Sequence, residues 1–168
     1  SKFLLNKNYE VWGTTRSLEY NNLFRLRHLG IKKELRTLEM DPHVFDEVNI
    51  EIKKIKPDEI YFLAGLSSVS YSFKNPLETI QSNVLALANV LEACRLANPG
   101  SKIYVAGSSE CFGETGELGA NETSSLNPVS PYGVSKASIL LLTKSYRNAY
   151  DLFACTGILF NHESELRP

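Results

Sequence analysis

The sequence lacks the features that mark membrane proteins and nucleic-acid-binding proteins. No apolar run among its 168 residues approaches the length that spans a bilayer, and residues 1–5 lack the layout of a secretory signal. Basic residues are not in excess, because 18 Lys and Arg stand against 19 Asp and Glu, for a formal net charge of -1. Without a broad basic field, we expect no nucleic acid partner and no membrane partner.

Cysteine and histidine are also scarce. Cys94, Cys111 and Cys155 are widely spaced, without the short spacings of metal ligands or of a disulfide framework. The three histidines are scattered as well, so we expect no metal site. Three unpaired thiols are typical of a reducing compartment, and this predicts a cytoplasmic protein.

The order of predicted elements indicates an α/β protein. Strands are predicted at 9–13, 35–40, 59–64, 102–107 and 153–160, and helices at 1–7, 23–29, 44–55, 77–97 and 132–150. Several of the strands are apolar along their whole length, which favours a doubly wound parallel sheet with helices on both faces.

Polar residues follow five of these strands, at the end where ligands of such sheets bind. They are residues 14–16, Asp41, 65–67, 108–110 and 161–163. They can line a ligand crevice, or they can be polar simply because loops are.

The stretch Ser-Pro-Tyr-Gly-Val-Ser-Lys at 130–136 carries the clearest chemical signal. Ser130 can cap a helix, and Pro131 suits its first turn. Tyr132 and Lys136 then lie one turn apart on one face, where the ammonium favours the phenolate and makes Tyr132 a usable base. The alternative is an ordinary exposed helix pair.

Three stretches together carry a resemblance to a known family. They are Ser-Ser-Glu-Cys-Phe-Gly at 108–113, the motif at 130–136, and Gly-Ile-Leu-Phe-Asn-His-Glu-Ser at 157–164. With them the chain resembles the extended short-chain dehydrogenase/reductases and, among these, the GDP-mannose 4,6-dehydratases. The resemblance implies a Rossmann-like sheet that is incomplete at its N-terminal strand, with residues 1–168 forming part of an NADP-binding domain. The family's Gly-rich phosphate loop would precede residue 1, and the substrate domain would largely follow residue 168.

The resemblance also implies an activity, the conversion of GDP-mannose to GDP-4-keto-6-deoxymannose by a hydro-lyase. Tyr132 would take the proton of the sugar 4-hydroxyl, and Lys136 would lower the pKa of this Tyr and hold the nicotinamide ribose. Ser108 would donate to the developing oxyanion, and Glu110 would take the proton at C5.

The cofactor implied by the resemblance is NADP, since the first complete strand is followed by Arg16 and by no acid. Asn161 would face the sugar. The remaining cofactor contacts implied by family position are Asp41, Leu63, Ala64, Gly65, Ser67, Lys136, His162 and Arg167.

Two other functions stay open at this point. One is another nucleotide-sugar enzyme of the extended family, such as a 4-epimerase, which needs no base at C5. The other is a non-catalytic dinucleotide-binding module, which has no use for a tuned tyrosine. We expect a homo-oligomer in the full-length protein.

Overall fold

The computed structural model describes residues 1–19, 23–117 and 119–163. They fall into two compact units. The first contains Ser1–Asp41 and His162–Pro168, and the second contains Pro42–Asn161. Each unit is described by itself below.

The first unit contains a two-stranded parallel sheet. Its elements are helix α1 (Lys2–Leu5), strand β1 (Trp12–Thr15), helix α2 (Phe24–His28) and strand β2 (Arg36–Glu39). Trp12 pairs with Arg36 and Thr15 with Glu39. The strand predicted at 9–13 is therefore displaced toward the C-terminus. The turn after α1 extends to Asn8, whose φ of 63° is left-handed, and pairing with β2 begins only at Trp12.

The second unit contains a three-stranded parallel sheet in the order β3-β4-β5. Its strands are β3 (Glu59–Phe62), β4 (Lys102–Ala106) and β5 (Ala154–Gly157). Its helices are α3 (Phe45–Ile55), α4 (Val69–Lys74), α5 (Pro76–Ile80), α6 (Ala86–Ala97) and α7 (Pro131–Tyr150). The helices predicted at 44–55 and 132–150 are confirmed to within one residue at their starts.

One face of this sheet is buried and the other is partly exposed. The registers align Phe62 with Val105, and Ile103 with Ala154, and all four side chains are buried. On the opposite face Tyr61 is 48% exposed and Cys155 is exposed. The expectation that the strands are buried on both faces is met on one face only. Helix α3 packs against α6, and α6 against α7, so these helices lie together.

The helix predicted at 77–97 is interrupted. A π-helical turn, Gln81–Leu85, separates α5 from α6. Such turns insert one residue into the helical ladder and often occur at functional sites. Here the turn places Asn83 in the buried interior, with 1% of its surface exposed.

The architecture confirms the predicted fold class, an α/β protein with parallel strands joined through helices. Every strand pair in the described residues is parallel, and within the second unit β3 is joined to β4 through α4 to α6, and β4 to β5 through α7. Across the described part of the chain, no helix has both the length and the apolar character needed to cross a membrane.

The buried face of α6 allows a direct test of how this helix packs in the core. Leu91 is fully buried, and Leu96 on the same helix is 55% exposed. We expect Leu91→Ala to lower the free energy of unfolding by about 3 kcal/mol, since the deletion leaves a cavity. Leu96→Ala is the matched control and should change it by less than about 0.5 kcal/mol. Urea denaturation measures both, and equal losses would contradict the placement of α6.

Candidate functional site

The site is built at the carboxyl end of β4, where pairing with the neighbouring chain continues beyond the strand. The amide of Gly107 donates to the Gly157 carbonyl (2.8 Å), and the amide of Ser109 donates to the Leu159 carbonyl (2.9 Å). These bonds hold Ser108 in extended backbone, and a single 3-10 turn, Ser109–Cys111, then presents Glu110 at the surface. A rigid strand end therefore carries both residues.

The second side of the site is the start of α7. Ser130 is the N-cap, and its Oγ accepts the amide of Gly133 at 2.9 Å. Pro131 occupies the first helical position, where its missing N–H costs nothing. The capping predicted from the sequence is confirmed, and it fixes Tyr132 within the first turn.

Ser108, Glu110 and Tyr132 are brought together by these two elements. The Ser108 side chain lies within hydrogen-bonding reach of the Tyr132 phenol, and the Glu110 carboxylate is close enough to act on Tyr132 by its charge. Burial raises the pKa of Tyr132; the Ser108 side chain opposes this rise, and the Glu110 charge adds to it. The strand-end and helix motifs thus form one cluster.

Lys136 lies one turn after Tyr132 and is buried. Its Nζ donates to the carbonyl of Ala106, the last residue of β4, at 2.8 Å. The same Nζ lies 5.7 Å from the centroid of the Tyr132 ring. Burial lowers the pKa of Lys136 to about 8, so the ammonium is still the main form at neutral pH.

The prediction that Lys136 makes Tyr132 a phenolate near neutral pH is wrong for the ligand-free site. The pKa of Tyr132 is raised, not lowered, and burial is the largest cause. The causes of the shift are burial and the Ser108 and Glu110 side chains, while the Lys136 ammonium donates to the Ala106 carbonyl. At neutral pH the Tyr132 side chain is therefore a neutral phenol.

The residues after β3 form an exposed strip that suits a bound cofactor. Leu63 is 66% exposed, and Ala64, Gly65 and Ser67 are exposed as well. Gly65 has a φ of 123°, which L side chains rarely adopt, and a Cβ here would collide with Asn83 Oδ1. A bare backbone at a strand end allows a ligand to approach closely, so this segment fits a dinucleotide.

Asn83 is a functional candidate that the sequence analysis missed. Its Nδ2 donates to the Leu66 carbonyl (3.1 Å) and to Ser135 Oγ (2.7 Å), and Ser135 Oγ donates to the Tyr132 carbonyl (2.7 Å). One side chain thus joins the strip after β3 to the helix that carries Tyr132. A polar residue four positions before Leu87, on the apolar face of a predicted helix, was the available signal.

For the other predicted site residues, the structure gives the element that each one follows and its exposure. Asn161 follows β5 and is exposed, two residues after the Leu159 carbonyl that binds Ser109. Arg16 directly follows β1, and Asp41 follows β2. Both belong to the first unit, as does His162, which is exposed. Arg167 lies outside the described residues.

The described residues contain no group of three or more His, Cys, Asp or Glu that could hold a metal ion. Cys94, Cys111 and Cys155 are free thiols, and burial raises the pKa of Cys94 to about 12.

The Asn83 contacts predict a loss of stability when they are removed. Asn83→Ala would leave the Leu66 carbonyl and the Ser135 hydroxyl without this donor inside the protein. We expect a loss of about 2 kcal/mol in the free energy of unfolding. Asn148→Ala, at an exposed position of α7, is the matched control. If both variants unfold at the same urea concentration, Asn83 does not join the two segments.

The lowered pKa of Lys136 predicts a pH dependence. Below about pH 8 the folded protein bears the full desolvation free energy of a buried Lys136 ammonium. This destabilisation is relieved as pH rises toward 10.5, the pKa of Lys136 in the unfolded state. In that window the unfolded state binds more protons, so wild-type stability should rise relative to Lys136→Met. One pKa unit is about 1.4 kcal/mol, so the relative gain is of the order of 3 kcal/mol.

Chemical denaturation at pH steps between 7 and 10.5 measures this gain, the upper limit being the unfolded pKa of Lys136. The matched control is Lys144→Met, at an exposed position of the same helix. A constant difference between wild type and Lys136→Met across the window would contradict the buried ammonium.

Comparison with known sequences agrees with this arrangement. A family model described as GDP-mannose 4,6 dehydratase matches residues 1–168. GDP-mannose 4,6 dehydratase 1 of Arabidopsis thaliana is 40% identical, over 99% of this chain and 49% of the relative. The Homo sapiens GDP-mannose 4,6 dehydratase is 37% identical, over 99% of this chain and 47% of the relative. The chain thus spans about half the length of these relatives.

Comparison with solved structures supports the fold. The UDP-Glc/GlcNAc 4-epimerase of Campylobacter jejuni superposes with a TM-score of 0.83 at 24% identity, covering 92% of this chain and 47% of that one. A dTDP-glucose 4,6-dehydratase of Streptomyces venezuelae gives a TM-score of 0.78 at 23% identity, covering 92% and 49%. At these identities the likeness concerns the fold alone. The match of the family model over the whole chain, together with relatives of similar sequence from plants, animals and bacteria, shows that this chain belongs to the GDP-mannose 4,6-dehydratase family.

Proposed function

We propose that the full-length protein converts GDP-mannose to GDP-4-keto-6-deoxymannose, with NADP as its cofactor. The reaction is a dehydration, so the enzyme is a hydro-lyase. The observation that carries the proposal is the cluster in which the Ser108 side chain and the Glu110 carboxylate both lie close enough to act on the Tyr132 phenol. A hydroxyl donor, a phenol and a carboxylate in one place are what this reaction requires.

Tyr132 is the base for the sugar 4-hydroxyl in this proposal. Its pKa is raised by burial, so it becomes a phenolate only when positive charge enters the site with the ligands. The Lys136 ammonium, 5.7 Å from the ring centroid, adds to that charge below about pH 8. Ser108 donates a hydrogen bond to the oxygen on which negative charge develops.

Glu110 is the base for C5. Once C4 is a ketone, the C5 proton is acidic, and the carboxylate takes it while the C5–H electrons form a C5=C6 double bond. The C6–O bond breaks in the same elimination, so one water, made of the C5 proton and the C6 hydroxyl, is lost overall. Glu110 is exposed in a short turn, and this leaves it free to meet a substrate.

When bound, NADP would supply hydride transfer from C4 and back to C6, the return being matched by a proton delivered to C5, and its oxidised nicotinamide ring would carry a positive charge. In the second unit Gly65 and its exposed neighbours provide a bare backbone for the cofactor, and Lys136 would hold the ribose. In the first unit the exposed Arg16 would receive the 2'-phosphate. By family position Asp41, His162 and Arg167 complete the cofactor site, and Asn161 faces the sugar.

The proposal extends to the state of the protein in the cell. The free thiols favour a reducing, cytoplasmic compartment. We also propose that the full-length enzyme is a homo-oligomer, and that residues 1–168 form its NADP-binding part. The sugar nucleotide would then be held largely by another domain.

A 4-epimerase of the same extended family is the second candidate, because it would use the same Tyr132 and Ser108 side chains at the sugar 4-hydroxyl. Glu110 separates the two functions, because an epimerase has no proton to take at C5. A non-catalytic module is the third candidate. Against it stand the buried Lys136 and the Ser108–Tyr132 contact, which cost desolvation and serve no purpose in a module.

The first experiment incubates the full-length protein with GDP-mannose and NADP and follows the sugar nucleotide by mass spectrometry. A product lighter by one water supports the proposal. An unchanged mass with a new retention time would identify an epimerase, and an unchanged substrate with bound cofactor would favour a binding module or another sugar nucleotide.

Two variants then separate the roles. Tyr132→Phe removes the first base, and we expect turnover to fall by about 100-fold or more, without reduction of the cofactor. With Glu110→Gln the cofactor should become reduced as C4 is oxidised. The reaction should then stop, because no carboxylate removes the C5 proton. Equal product formation by Glu110→Gln and the wild type would rule out this role for Glu110.

A further inference from the structure

Gly133 lies where the helix that carries Tyr132 meets the turn that carries Glu110. It is buried in the first turn of α7, directly after Tyr132, and α7 contacts the turn Ser109–Cys111. A Cβ added to Gly133 would lie 2.7 Å from the Glu110 carbonyl oxygen and 3.1 Å from Pro128 Cβ. The backbone of the helix therefore packs against the Glu110 peptide with no side chain between them.

A glycine at a helical position has to be explained, because alanine favours helices more. The close approach to the Glu110 carbonyl explains this one. From this contact we infer that Gly133 is a positioning residue for Glu110, and that it sets the distance between the C5 base and Tyr132. The inference rests on the proposed function, since it concerns the second of the two proton transfers.

A methyl group at Gly133 should displace Glu110 more than Ser108. Ser108 lies between Gly107 and Ser109, whose amides are both bound to the chain after β5. The Glu110 amide is bound only through Ser108 Oγ, at 3.3 Å, and the residue is exposed. The easier adjustment is thus a movement of the Glu110 turn, by about 0.5 Å, and an error of this size already degrades a catalytic geometry.

The two halves of the reaction should therefore separate in Gly133→Ala. Proton removal by Tyr132 depends on Ser108 and Lys136, whose contacts with β4 and with Tyr132 the methyl group does not touch. Proton removal at C5 depends on Glu110. We expect oxidation at C4 to continue while dehydration slows by about 10-fold to 100-fold.

The test uses the full-length protein with NADP and GDP-mannose in single-turnover experiments. Near-ultraviolet absorbance reports the reduced nicotinamide, and borodeuteride trapping with mass spectrometry reports a 4-keto sugar that has not lost water. Gly133→Ala should accumulate the reduced nicotinamide and the trapped 4-keto sugar. We expect the same of Glu110→Gln and neither of Tyr132→Phe. Gly100→Ala is the matched control, because a Cβ there meets nothing within 4 Å, and it should behave like the wild type.

Gly133→Ala combined with Pro128→Gly keeps the test decisive if Gly133→Ala alone does not fold. Removing the Pro128 Cβ, 3.1 Å from the added methyl group, relieves that contact and leaves the contact with the Glu110 carbonyl. Thermal unfolding should show this double variant folded, and it should accumulate the same trapped sugar.

The outcomes distinguish the inference from the proposed function. If the wild type gives no product lighter by one water, the proposed function fails. If the wild type gives that product but the folded variants slow oxidation and dehydration equally, or slow neither, Gly133 does not position Glu110.

Discussion

Two hydrogen bonds hold the N-terminal part of α7 in place, one at the helix start and one between the helix and β4, and the cluster depends on both. Ser130 Oγ accepts the Gly133 amide before the first turn is complete, and Lys136 Nζ donates to the Ala106 carbonyl one turn later. Tyr132 lies between these two points. Because one bond sets where the helix begins and the other fixes it to β4, the phenol has little freedom to move relative to Ser108.

This anchoring has an electrostatic consequence. Lys136 is buried in order to reach the strand, and its pKa falls to about 8. Tyr132 is buried beside it, and its pKa rises. Both shifts disfavour charge, and burial is the largest cause of each. At neutral pH Lys136 is nevertheless mainly an ammonium, beside a neutral Tyr132 phenol.

The parts of the site that the sequence predicted are those determined locally. Ser130 and Pro131 specify a helix start by themselves, and the spacing of Tyr132 and Lys136 then fixes their common face. The direction of the Tyr132 pKa shift could not be predicted in this way, because it depends on burial by distant segments. The π-helical turn at Gln81–Leu85 is a similar case: Asn83 is turned inward to meet Leu66, a contact that no local pattern encodes. The alternation of strands and helices was enough to predict the fold class. The exact ends of strands, such as the start of β1, depend on pairing with a neighbouring strand and could not be predicted.

Glycines explain why a site with few side chains can be precise. Gly107 and Gly133 each stand alone in the sequence, outside any Gly-rich stretch. In the structure a Cβ at Gly107 would lie 2.7 Å from the Gly157 carbonyl, and one at Gly133 would lie 2.7 Å from the Glu110 carbonyl. Backbone in direct contact with backbone has no rotamers to adjust, so such contacts fix distances more firmly than side-chain packing does. Main-chain contacts therefore fix how the Tyr132 and Glu110 backbones lie relative to each other. If Glu110 is the base at C5, as we propose, one scaffold can serve a 4-epimerase or a dehydratase, depending on the side chain at position 110.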